Sequence, residues 1–149
     1  MKNLTTIMCL VLTFTTVTSI AQSNSASRPS LFANYPSIIQ CTEAQLSSLF
    51  NANVGQQVNA SFAALNLSGP ITSKEQRYSN LQIMVVKLPA FNNVLFSVSK
   101  RLDENNLPVY VGHILDNKYQ DGYNLKRNND GTYQFEKVEM GKIQPDCLH

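Results

Sequence analysis

Beyond residue 57 the chain alternates apolar and polar residues with a period of two, the spacing that puts every second side chain on one face of a strand. QVNASFAALNL sets Val58, Ala60, Phe62 and Ala64 against more polar neighbours until Ser68-Gly69-Pro70 interrupts it. LQIMVVKL is apolar on both faces, as expected of a strand covered on both sides or of a barrel wall, and Pro89 ends it. VLFSVSKRL places Val94, Phe96, Val98 and Leu102 opposite Ser97, Ser99 and Arg101, and VYVGHIL places Val109, Val111, His113 and Leu115 together. The runs GYNLK and YQFEKV around RNNDGT make the clearest hairpin, because Asp130-Gly131 accepts the positive φ of a tight turn. The expected core is Ile83, Val85, Phe96, Val98, Val111, Tyr133 and Phe135.

One segment departs from this period. In CTEAQLSSLFNANVG, Leu46, Leu49 and Phe50 recur at helical spacing, Thr42 is placed to cap, Glu43 falls in the first turn and Gly55 closes the run. The pattern predicts a helix over Glu43 to Asn51. QSNSASRPSLFANYP, residues 22–36, has no apolar period and reads as a flexible leader to a single β-rich domain over 37–149. Short strands joined by small loops pair antiparallel with their neighbours. The expected class is therefore α+β, mainly β. One short N-terminal helix packs on a curved antiparallel meander of five to seven strands, which the pattern leaves free to close into a barrel.

Residues 1–21 change the compartment. Lys2, an apolar and Thr-rich stretch over Ile7 to Val17, and Ser19-Ile20-Ala21 before Gln22 have the layout of a secretory signal peptide cleaved after Ala21, so the expected location is secreted or periplasmic. Loss of Lys2 with that segment lowers the formal net charge from +2 to +1, and the remaining Lys and Arg are scattered. Neither nucleic acid nor, after cleavage, a membrane is an expected partner; a protein or a carbohydrate is, with the domain itself monomeric. Cleavage also removes Cys9 and leaves Cys41 and Cys147. An even count in an exported chain favours a disulfide, and a free thiol near the C-terminus is the alternative.

Candidate chemistry is sparse. A nucleophilic hydrolase needs a base, and the chain offers only His113 and the terminal His149. A small hydrolase using His113 with a nearby acid is the enzymatic alternative to a binding domain, and which of the two applies stays open at this point. Asp103, Glu104, Asp116, Asp121 and Asp130 have the spacing of turn residues rather than of a calcium loop. Glu75, Glu104, Glu136 and Glu139 fall in loops or at outward strand positions. No cofactor and no metal is expected. Tyr110, Tyr119, Tyr123 and Tyr133 either form a contact surface for a partner or pack across strands. Asn59-Ala60-Ser61 and Asn66-Leu67-Ser68 match the glycosylation sequon.

The second half carries a resemblance. A Tyr-Val-Gly-x-Ile strand at Tyr110 to Ile114, Asp-Gly-Tyr-x-Leu at Asp121 to Leu125, Gly-x-Tyr-x-Phe at Gly131 to Phe135, and then Cys147 resemble the non-catalytic, propeptide-like N-terminal segments of secreted bacterial metalloproteases. The resemblance covers about a third of the chain, and the sequence stops at His149 with no catalytic domain after it. It implies an accessory or inhibitor-like binder of a secreted protease, in which Asp146-Cys147 would occupy the open position of a catalytic zinc. Cys147 cannot do so while bonded to Cys41.

Overall fold

In the computed structural model, residues 28–142 are described. Their elements are β1 (Ile38–Cys41), α1 (Glu43–Leu49), β2 (Gln57–Phe62), β3 (Leu65–Tyr78), β4 (Leu81–Leu88), β5 (Val94–Leu102), β6 (Pro108–Ile114), β7 (Asp121–Arg127) and β8 (Tyr133–Glu139). Short 3-10 turns follow β4 and β8. The eight strands form one antiparallel sheet in the order β1-β8-β7-β6-β5-β4-β3-β2, curled into a half-barrel whose edges β1 and β2 approach without pairing. The expected class holds, with eight strands rather than five to seven. The additional strands come from β1, which precedes the helix, and from division of QVNASFAALNL into the β2–β3 hairpin at Ala63 (φ 43°).

α1 forms where the pattern places it. Thr42 accepts the Gln45 N–H at 3.2 Å while the Gln45 side chain accepts the Thr42 N–H at 2.8 Å, a reciprocal cap of two otherwise orphaned donors. Leu46, Leu49 and Phe50 are buried on the sheet's concave side. Burying each leucine stabilises the helix by roughly 1.5–3 kcal/mol, which a helix of seven residues needs because it is too short to form alone.

β3 runs through the expected break at Ser68-Gly69-Pro70. Gly69 lies against the Lys87 carbonyl, where a Cβ would approach to 1.8 Å, so the absence of a side chain lets the strands cross rather than ending one. The hairpin β7–β8 has the expected position, and its register runs from Asp121 opposite Glu139 to Arg127 opposite Tyr133.

Faces were read correctly on β5 and wrongly on β6. Phe96, Val98, Tyr133 and Phe135 are buried as expected, but Ile83 and Val85 are only half-buried on the outer face, and Val111 is 59% exposed. On β6 it is Tyr110, Gly112 and Ile114 that point inward. Gly112 hides that row in the sequence because a Cβ there would press on the Ser97 carbonyl at 2.7 Å.

The interior is filled by aromatic rings from one end to the other. Phe50 meets Tyr110, Tyr110 meets Tyr133, Phe135 meets Phe62, Phe96 and Tyr123, and Tyr123 meets Phe32, with centroids 5.0–6.4 Å apart. Eight strands enclose just enough space for such a column. α1 plugs one end of the half-barrel. At the other end the plug is the irregular stretch 30–36, which turns at Phe32–Tyr35 and is here called the strap.

The strap corrects the expectation of a flexible leader up to Pro36. Phe32 is fully buried between Phe91, Tyr35 and Tyr123. The Asp121 carboxylate accepts the Ser30 hydroxyl, the Leu31 N–H at 2.7 Å and the Phe32 N–H at 3.1 Å. Lys137 donates to the Phe32 and Tyr35 carbonyls at 2.6 and 2.5 Å, and the Tyr123 hydroxyl donates to Pro36.

Candidate functional site

The inward positions of β3, β4 and β5 are apolar along most of their length and turn polar together near α1. Ile71, Val86, Phe96 and Ile114 face one another across β3–β6; the next inward row is Lys74, Met84, Val98 and Gly112. The row after that is Gln76, Gln82, Lys100 and Tyr110. Two amides and an ammonium thus line the lip of the half-barrel at positions the strand period assigns to the core. Lys74 has a structural task, donating to the Phe50 and Ala52 carbonyls at 2.7 and 2.8 Å where α1 ends. Gln76 donates to the Tyr78 carbonyl at 2.5 Å. The side chains of Gln82 and Lys100 bond to no other described residue.

Outside this row the surface folds into a cleft. One lobe of about 500 Å³ lies between the β3–β4 turn and the β5–β6 loop, lined by Asn80, Arg101, Leu102, Asp103, Glu104 and Asn105. A smaller lobe of about 180 Å³ is lined by Gln76, Gln82 and Lys100 and shares Asn80 and Leu102 with the first. Leu102 N–H donates to the Asn80 carbonyl at 2.9 Å, joining turn to loop. Asp103 holds the loop by accepting the Asn105 and Leu107 N–H groups at 2.8 and 2.9 Å. Tyr78, between Gln76 and Asn80, is 69% exposed.

Tyr110, the fourth member of the row, is buried beneath α1. Its hydroxyl faces Ser47 but meets no partner in full hydrogen-bond geometry among the described residues, and burial pushes its ionisation upward. The neighbouring Tyr133 hydroxyl is satisfied, accepting the Tyr110 N–H at 3.2 Å and donating to Pro108.

The residues singled out from sequence are dispersed. Tyr110, Tyr123 and Tyr133 are core residues, and Tyr119 is half-buried with its hydroxyl accepting from Asn92 at 2.9 Å; they form no common surface. Their inward register, set by strand pairing, is the reason. For Tyr123, burial first and then the Asp121 charge push the phenol up to about 12. His113 is exposed on the outer face, flanked in register by Ser97 and Asn124; the carboxylate of that row, Glu136, lies beyond Asn124 on β8, where Lys126 and Gln134 engage it. Asp121, expected as a turn residue, is 6% exposed and holds the strap. Asp116 accepts the Lys118 N–H and Asp130 that of Thr132, both as turn residues.

Cys41 ends β1 with its thiol buried, which pushes it up to about 12. Asp146, Cys147 and His149 lie outside the described residues. Among the described residues no three His, Cys, Asp or Glu side chains gather to hold a metal, and no helix is long and apolar enough to cross a membrane.

The lip row escaped sequence reading, although part of a signal exists: Gln82 and Lys100 each interrupt an apolar alternation near a strand end, while Gln76 lies within the polar run TSKEQR. Only the register shows that the three positions coincide. Comparison with known proteins brings no match, whether by family, by curated sequence or by solved structure.

Proposed function

We propose that the chain is an exported, non-enzymatic binding domain that meets its ligand at the cleft between the β3–β4 turn and the β5–β6 loop. The observation that carries this reading is the lip row, where Gln82 and Lys100 hold inward positions without a hydrogen bond to any other described residue. Both are half-exposed, so their polar groups stay open to solvent and to a ligand at the rim. The aromatic column leaves the interior no room for one, and contact falls to the rim. Export rests on the leader over residues 1–21. The resemblance to propeptide-like segments supplies one specific partner, a secreted protease. His113 stands on an open face between Ser97 and Asn124, and the carboxylate of its row, Glu136, lies two strands away and is engaged by Lys126 and Gln134, which speaks against the hydrolase alternative.

The test is a panel of ester, glycoside and peptide substrates. No turnover is expected, and turnover abolished in a folded His113→Ala variant would overturn the non-enzymatic reading.

A Cys41–Cys147 disulfide belongs to the same proposal and has a geometric requirement. Cys41 lies opposite Tyr133 at the start of β8, whereas the described chain leaves from the other end of that strand. The return is roughly 20 Å along seven residues. Five extended residues after Lys142 reach about 17 Å and a disulfide itself spans Cα atoms about 4.4–6.8 Å apart, so the bond requires residues 143–147 to return nearly fully extended along β8. A thiol count on the denatured, unreduced secreted chain decides: none supports the bond, and two contradict it.

A further inference from the structure

We propose that the ligand of this cleft is an oligosaccharide. This rests on the binding reading above and adds the chemical class. Neighbouring sugar hydroxyls each donate and accept, and the side chains that match them are planar groups offering both functions or a fork of one. Gln76, Gln82, Asn80 and Asn105 supply amides with a donor and an acceptor a fixed distance apart; Asp103 and Glu104 supply acceptors, and Arg101 and Lys100 supply donors. An apolar ligand would find only Leu102 in this lining. Tyr78 lines neither lobe but is 69% exposed and lies in sequence between the lining residues Gln76 and Asn80, and it offers an aromatic face of the kind on which the C–H face of a pyranose stacks. The two lobes share Asn80 and Leu102, so a ligand of more than one sugar unit can touch both. Its scale, some hundreds of cubic ångströms, is that of small-molecule sites. The Asp103 loop and the Leu102–Asn80 bond hold the two walls in place before any ligand arrives.

The experiment is titration of the full mature chain with cellohexaose, xylohexaose, mannohexaose and chitohexaose, followed by amide chemical shifts. At least one should shift residues 76–82 and 100–105 selectively, with Tyr78→Ala and Gln82→Ala each weakening binding about fivefold or more while the spectrum stays native elsewhere. Shifts confined to another surface would overturn the site and leave a sugar-binding domain. No shift with any of the four at millimolar concentration would overturn the ligand class while leaving the binding reading to be judged by the substrate panel. Cleavage of a hexasaccharide during the titration would overturn the non-enzymatic reading itself.

Discussion

The two ends of the half-barrel are closed by different means. At the strap end, Asp121 gathers a hydroxyl and two amide protons, Lys137 grips two carbonyls, and Tyr123 reaches Pro36. At the helix end an inward lysine does the same for α1, since Lys74 holds the Phe50 and Ala52 carbonyls. There the likeness stops. Beneath α1 the Tyr110 hydroxyl faces Ser47 without full hydrogen-bond geometry, and along the lip Gln82 and Lys100 bond to no other described residue. The buried carboxylate at the strap end is fully engaged with the chain itself and serves stability; the open polar groups lie at the helix end, on the side of the proposed ligand site.

The largest expected effect lies at the strap. Phe32→Ala should lower unfolding stability by about 3–5 kcal/mol in urea titration, because it removes a fully buried ring and leaves a cavity between Phe91 and Tyr123. A loss below about 1 kcal/mol would mean that the strap is a surface attachment and not a plug. Asp121→Asn comes next, at about 2–3 kcal/mol, since a buried acceptor of several donors loses its charge and half of its accepting capacity.

Two tyrosines sharpen the contrast at the helix end. Tyr133→Phe removes a satisfied hydroxyl and should cost about 1 kcal/mol, whereas Tyr110→Phe removes an unpaired one and should leave stability unchanged or raise it by up to about 1 kcal/mol. Equal losses in the two variants would show that the Tyr110 hydroxyl is bonded in solution and that the two ends are sealed alike.

The smallest effect is electrostatic and belongs to neither end. Hydrogen bonds from Lys126 and then Gln134 hold the Glu136 carboxyl below the usual glutamate value. A depressed carboxylate stabilises the fold above its unfolded pKa of about 4.3 and loses that contribution as pH falls through the lower, folded value. With side chains 57% and 30% exposed, screening limits the pair to roughly 0.3 kcal/mol. Lys126→Met should therefore lower stability by roughly 0.3 kcal/mol at neutral pH and slightly flatten its decline in the acid range.

How much of this was legible in the sequence follows the same division. α1 could be read because everything that makes it a helix is local: the cap at Thr42 and the stripe of Leu46, Leu49 and Phe50. The hairpin at Asp130-Gly131 was legible for the same reason. The strap was not, because Phe32 belongs to no periodic run and its partners Asp121 and Lys137 lie some ninety to a hundred residues away. β6 was misread because both its faces carry large apolar residues, and Gly112, the residue that marks the inner one by close approach, contributes nothing to an apolar count. The lip row needed the pairing of three strands before it became a row at all.

The division of labour between the ends is tested most directly by urea unfolding of a Gln82→Ala/Lys100→Ala double variant. Stability within about 0.5 kcal/mol of the parent is expected, since these side chains bond to no other described residue. A loss as large as that of Asp121→Asn would show the row to be structural and would contradict the assignment of the helix end to ligand binding.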